Sequence, residues 1–251
     1  ETAQGAEHVP APEIQGEGPE GSLWYWVRSG FVITVGAGLI GISVGLLALL
    51  AVWYRQNRRE HRKKVPVMSQ VCIFFAPGLE EIEGLTVVDL MRRAGISIQV
   101  VSVADTLDIT GAHNIHITAD ALLSDTDFSD TEMLVLPGGA PGTCNLEACG
   151  PLMDLLKDFY RQGKYVGAIC AAPMIFGHLG FLEGRKATSY PGFEKELRGA
   201  DVVTDAAVVD GHVITSRGLG TAIEFAAALI ALLKDEETAK NIKDEVMYTE
   251  R

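Results

Sequence analysis

From Val71 to the end of the chain, short apolar runs alternate with stretches of helical spacing, and this alternation restricts the possible folds more than any other feature. Val71–Phe75 reads as a strand. Residues 82–94 repeat apolar side chains at helical spacing (Ile82, Leu85, Val88, Leu90, Met91), and Gly95 supplies the stop. Ile96–Val103 is β-rich, and short strands at Leu107–Ile109 and Ile115–Ile117 surround Gly111. Met133–Leu136 is a buried strand running into PGGAPG, followed by a helix over Leu152–Tyr160 that stops at Gly163. A strand at Tyr165–Ile169 precedes a helix over Ala172–Leu179. Ala206–Val209 and Val213–Thr215 flank Asp210-Gly211, a hairpin signal. Helices over Thr221–Leu233 and Asp235–Val246 close the chain. Several strands are apolar at every position, so both of their faces must be covered. That pattern predicts an α/β sandwich around a mostly parallel sheet.

The segment ahead of Val71 reads differently. Residues 1–22 are rich in Gly, Pro and Glu, lack Lys and Arg, and form an expected solvated tail. Residues 23–54 follow, uncharged from Phe31 to Tyr54. At about 1.5 Å per residue this run is long enough to cross a hydrocarbon core of about 30 Å. Trp24, Tyr25 and Trp26 at one end and Trp53 and Tyr54 at the other have the character of interfacial belts. The expectation is a single transmembrane helix. Residues 55–67, which contain RQNRREHRKK, form a basic linker. They place the domain at 68–251 on the cytoplasmic, matrix or stromal side and the acidic tail outside. Ala37, Gly41 and Gly45 recur every four residues, giving a small-residue face for helix–helix contact. Met68 reads like the start of a free-standing protein, so residues 1–67 read as an added module, natural or engineered. The chain opens on Glu, which fits either a removed targeting segment or a start inside a longer chain.

Composition narrows the function. The net charge of −12 argues against nucleic-acid binding, which needs a basic face. Cys72, Cys144, Cys149 and Cys170 form no CxxC pair and have no zinc-finger histidines. Reduced thiols are expected in an apolar domain of this size, with a Cys144–Cys149 bridge left open. His113, His116, His178 and His212 lack metal-ligand spacing and read as solvated or structural.

Three expected strand ends carry chemistry, and in open α/β sheets ligands bind at the carboxyl ends of strands. GAICAAP places Cys170 at a strand-to-helix corner, where a sharp turn and a helix start are expected to favour the thiolate. APGLEEIEG supplies Glu80, Glu81 and Glu83, with Glu83 best placed to turn inward and manage the thiol proton. LPGGAPG supplies Gly138 and Gly139, whose N–H groups, with that of Ala171, are candidate oxyanion donors.

Taken together, APGLEEIEGLTVVDLMRRAGI, LVLPGG, GAICAAP and TSRGLGTAIEFA resemble the ThiJ/PfpI superfamily, in the branch of the Parkinson-disease protein deglycase and its bacterial relatives. The resemblance covers residues 69–251 and not 1–67. It implies a flavodoxin-like three-layer sandwich and a homodimer. Cys170 takes the place of the nucleophile-elbow cysteine, Glu83 that of the protonated glutamate beside it, and Gly139 and Ala171 those of the backbone donors. Family activities are cofactor-free conversion of methylglyoxal or glyoxal to a hydroxy acid and repair of early glycation adducts. Redox-sensing and chaperone roles are also attributed to relatives.

The departures are informative. Protease-like members carry a histidine directly after the cysteine, where this chain has Ala171, so a peptidase is not expected. Another branch places a histidine where this chain has Tyr190, which can hydrogen-bond a substrate but is a poorer base near neutral pH. An arginine used by some relatives for anions is replaced by His113, whereas Arg93 is retained as a candidate substrate contact. Three readings follow: a metal-free, cofactor-free glyoxalase or deglycase; a redox-sensing or chaperone-like domain; and a non-catalytic subunit of a membrane assembly.

Overall fold

The computed structural model describes residues 70–249. The expectations for 1–22, 23–54 and 55–67, including the face at Ala37, Gly41 and Gly45, lie outside those residues. Among the described residues, no helix is long and apolar enough to cross a membrane.

Seven strands form one sheet. In chain order they are β1 (Val71–Phe75), β2 (Ile98–Ser102), β5 (Ala121–Leu122), β6 (Met133–Leu136), β7 (Tyr165–Ile169), β10 (Ala207–Asp210) and β11 (Val213–Ser216). The spatial order is β10-β11-β7-β6-β1-β2-β5, with only the β10–β11 pair antiparallel. The small hairpin of β3 (Asp108–Thr110) with β4 (His116–Thr118), and the pair β8 (Lys186–Ala187) with β9 (Asp201–Val202), stand apart from it.

β1 explains why the sheet needs two covering layers. All five of its residues are fully buried. Val71, Ile73 and Phe75 enter one core and Cys72 and Phe74 the other, as the two-residue side-chain period of a strand requires. On the first face lie helices α1 (Glu81–Arg93), α5 (Ala222–Leu233) and α6 (Glu236–Glu245). The second is covered by α2 (Ala140–Glu147), α3 (Gly150–Arg161) and α4 (Pro173–His178). The result is the expected flavodoxin-like three-layer arrangement.

Several sequence expectations need correction. PGGAPG is not only a turn: α2 starts at Ala140, inside it, with Pro141 in the first helical turn, where a missing N–H costs nothing. The β10–β11 hairpin turns at Gly211-His212 rather than Asp210-Gly211, because Asp210 still pairs with Val213 as the last residue of β10. The expectation of reduced thiols agrees with the structure: all four cysteines are unbridged, Cys144 exposed and Cys149 partly so, and the Cys144–Cys149 bridge left open does not form.

Candidate active site

The parallel strands β1, β6, β7 and β11 end on the same edge of the sheet, and their following loops converge there. Cys170 comes directly after β7 with φ of 68°, a left-handed conformation that costs a non-glycine residue about 1–3 kcal/mol. Two backbone hydrogen bonds hold the corner: Cys170 N–H donates to Ser216 O at 2.9 Å, and Tyr190 N–H donates to Cys170 O at 2.8 Å. The corner therefore aims the side chain off the strand axis, toward the loop after β6.

Glu83 reaches the same point from the first turn of α1. Glu80 caps that helix, its Oε2 accepting the Glu83 N–H at 2.7 Å. The Glu80 N–H in turn donates to Gly138 O at 2.9 Å, which ties the start of the helix to the loop after β6. The Glu83 carboxyl, 1% exposed, accepts the Gly138 N–H at 3.0 Å and the Leu219 N–H. Thiol and carboxyl face each other across Gly138. A Cβ placed there would lie 2.4 Å from Cys170 Cβ, 2.5 Å from Glu83 Oε2 and 3.0 Å from the sulfur. No other residue type fits without pushing nucleophile and carboxyl apart. The Gly139 and Ala171 backbone N–H groups are turned to the sulfur.

The electrostatics correct the expectation of an acidic thiol. Burial, and then the Glu83 charge, push the Cys170 thiol up to about 12, and the two backbone donors only partly offset them. Burial likewise pushes Glu83 up to about 7, with the Glu80 charge adding and the hydrogen bonds from Cys170, Gly138 and Leu219 opposing. The two N–H donors favour the thiolate, but desolvation is the larger effect. The two groups titrate as a coupled pair: below about pH 7 thiol and carboxyl are both protonated, and above it the carboxyl gives up its proton first and leaves a thiol beside a carboxylate.

Tyr190, 51% exposed, borders the pair. Its ring lies 3.2 Å, and Glu83 Oε1 3.6 Å, from where a Cβ on Gly218 would stand, so ring and carboxyl border the same space beside Gly218. Arg93 is not brought to the site. It lies ten residues beyond Glu83 on α1, about 15 Å along the helix axis. There it pairs with Asp89 and Glu245, each at 2.8 Å. Sequence reasoning missed Gly218 and Leu219, which follow β11; their signal was a fourth parallel strand running into a glycine-flanked loop.

Glu80, Glu81 and His113 gather at the start of α1, with one potential ligand atom from each within 4.8 Å of the others. Several of their ligand atoms are already hydrogen-bonded. The buried Glu81 accepts from the His113 N–H at 2.7 Å and pairs with His113 Nδ1 at 2.8 Å, while Glu80 Oε2 caps the helix. Burial pushes Glu81 up, but the hydrogen bonds from His113 outweigh it and hold the carboxyl below its ordinary value. The same hydrogen bond and charge push His113 up. The arrangement is an ion pair pinning the β3–β4 hairpin to the active-site helix.

Comparison with known proteins identifies the family and the fold. The sequence profile of the DJ-1/PfpI family matches residues 69–232. Protein DJ-1 homolog B of Arabidopsis thaliana is 37% identical over 193 residues, which cover 75% of this chain and 44% of that protein. The chain thus spans less than half the length of this plant relative. The glutathione-independent glyoxalase DJR-1.2 of Caenorhabditis elegans is 30% identical over 164 residues, covering 65% of this chain and 87% of that protein. Among solved structures, oxidized DJ-1 of Toxoplasma gondii superposes with a TM-score of 0.70 at 33% identity, covering 72% of this chain and all of that one.

Proposed function

The chain belongs to the DJ-1/PfpI family, and on that premise we propose that it is a cofactor-free, cysteine-dependent glyoxalase or deglycase acting on methylglyoxal, glyoxal or early glycation adducts. The observation that carries this reading is that the Cys170 thiol and the Glu83 carboxyl, pushed up to about 7, face each other across Gly138. A base poised near pH 7 beside a nucleophile suits a reaction that moves one proton several times. The worm relative, named as a glutathione-independent glyoxalase, supports it.

In this mechanism the Cys170 sulfur attacks the aldehyde carbon of the 2-oxoaldehyde while Glu83 takes the thiol proton. The Gly139 and Ala171 N–H groups steady the oxyanion, which regains that proton to give a hemithioacetal. Glu83, again a carboxylate, removes the hydrogen from the former aldehyde carbon. The resulting enediolate collapses as Glu83 returns the proton to the adjacent carbon and the hydroxyl proton passes from the former aldehyde oxygen to the neighbouring one, leaving a 2-hydroxyacyl thioester on Cys170. Water cleaves the thioester, releasing the 2-hydroxy acid and the thiol. Tyr190, whose ring borders the space beside Gly218, is proposed to hydrogen-bond the substrate carbonyl. Arg93, paired at the far end of α1, has no part in these steps.

Acid quenching of the full chain during methylglyoxal turnover, followed by peptide mass spectrometry, tests the reading. A lactoyl thioester on Cys170 is expected. Adducts confined to lysine and arginine side chains would refute covalent catalysis.

A redox role is the second reading, favoured by the neutral carboxyl and two N–H donors around one sulfur. Those groups suit the oxygens of a sulfinate, and the Toxoplasma relative was solved oxidized. Mild peroxide should then add two oxygen atoms selectively at Cys170. For assembly, a homodimer is proposed. Ile82 and Ile115, 45% and 46% exposed, flank the Glu81–His113 pair and give it an apolar surface. The anchor proposed at residues 23–54 rests on the uncharged run 31–54 and the aromatic flanks alone, and retention of the full chain in carbonate-washed membranes tests it.

A further inference from the structure

We propose that His178 is a positioning residue for the Cys170 site: a charged imidazole joining the far ends of segments whose near ends build the site. Its Nδ1 lies 2.5 Å from Glu147 Oε1 and its Nε2 lies 2.9 Å from Glu196 Oε2. An ionised carboxylate only accepts hydrogen bonds, so both ring nitrogens donate and the ring is an imidazolium.

Each bonded partner leads back to the site. Glu147 is the last residue of α2, whose N-cap is the donor Gly139. His178 itself ends α4, which the chain enters from Cys170 through Ala171 and Ala172. Glu196 ends a 3₁₀ turn (Glu194–Glu196) linked to Tyr190 by two backbone hydrogen bonds. These are Phe193 N–H to Tyr190 O at 3.1 Å and Glu196 N–H to Phe193 O at 2.9 Å. One side chain therefore holds the helix of an oxyanion donor, the helix of the nucleophile and the segment carrying the aromatic wall. The packing there leaves no slack: a Cβ on Gly177 would lie 2.0 Å from Glu196 O.

The charged groups acting on the ring are Glu147 from α2, and Glu196 and Arg198 from the segment after Tyr190. Burial lowers the pKa of His178 and the Arg198 charge adds to that effect. The hydrogen bonds to Glu147 and Glu196 outweigh both and hold it above the ordinary value. A raised folded-state value sets the sign. The stabilisation is complete below the ordinary histidine pKa of about 6.5 and is lost as pH rises through the raised one. Alkalinity therefore loosens the site from a distance.

Only the turnover readout rests on the glyoxalase reading; the ring's charge and the reactivity of Cys170 do not. Nitrogen-15 NMR of the full chain labelled at histidine reads the ring directly. Both His178 nitrogens should be protonated at pH 7, with a midpoint above about 6.5. The midpoint should fall in the Glu147→Gln/Glu196→Gln double variant. A single neutral tautomer at pH 7, or an unmoved midpoint, overturns the proposal. In the second arm, iodoacetamide alkylation of Cys170 at pH 7 should slow roughly tenfold in His178→Gln as the donors shift off the sulfur. If wild type consumes methylglyoxal, kcat should fall with KM unchanged. Unchanged Cys170 alkylation in folded His178→Gln overturns the positioning role. If that variant does not fold, Glu196→Gln is read by the same criteria. If wild type proves inactive on methylglyoxal, NMR and alkylation still decide, so the two failures are distinguishable.

Discussion

At the scale of single residues, the site is a thiol and a buried carboxyl facing each other across one glycine. Glu83 ionises near 4.5 when unfolded and near 7 when folded. Its contribution to stability is therefore complete below 4.5 and is lost as pH rises through 7. Glu83→Gln should flatten the stability profile between those values and leave the variant more stable than wild type at pH 8, by as much as ~3 kcal/mol. Urea unfolding at pH 5 and pH 8 measures it. The same variant should lose activity about 10²–10⁴-fold, because an amide cannot carry the proton. Cys170 and Glu83 were both legible in the sequence, because a cysteine at a strand-to-helix corner and a glutamate in a first helical turn are local patterns. The thiol's actual state was not legible. Sequence displays the turn and the helix start, which favour the thiolate, but not the burial that opposes them.

At the scale of elements, the long periodic segments matched their sequence signal to within a few residues. β1, β6 and β7 appear at the residues expected, and α1 and α3 nearly so. The misses have separate causes. β5, β8 and β9 are two residues long and exist only through pairing with a neighbour, which leaves no periodicity to read. α2 was hidden because proline and glycine mark a helix start as readily as a turn. Arg93 was misassigned because its motif matches a relative's, while its place on α1 points it at Asp89 and Glu245 instead. Close approach between elements predicts a further effect. Gly177→Ala would drive a methyl into Glu196 O, so α4 and the 3₁₀ turn must separate. The expected cost is about 2–3 kcal/mol, read as a drop in thermal midpoint. Slower reaction of Cys170 should accompany it, because the displaced turn is bonded to the Tyr190 segment.

At the scale of the whole molecule, the domain at 70–249 carries every group the proposed reaction uses, and family membership supplies the chemical class. Assembly is predicted to use the surface around Ile82 and Ile115. Ile82→Glu should shift sedimentation from dimer to monomer without unfolding the domain, since the side chain is not part of either core. The central claim is that Cys170 is the reacting nucleophile, and the initial rate of methylglyoxal conversion to lactate tests it most directly, with wild type beside Cys170→Ala. Wild type should form lactate without added metal or thiol, and the variant should fall by at least about 10³-fold. Lactate formation at an undiminished rate by folded Cys170→Ala would contradict the account.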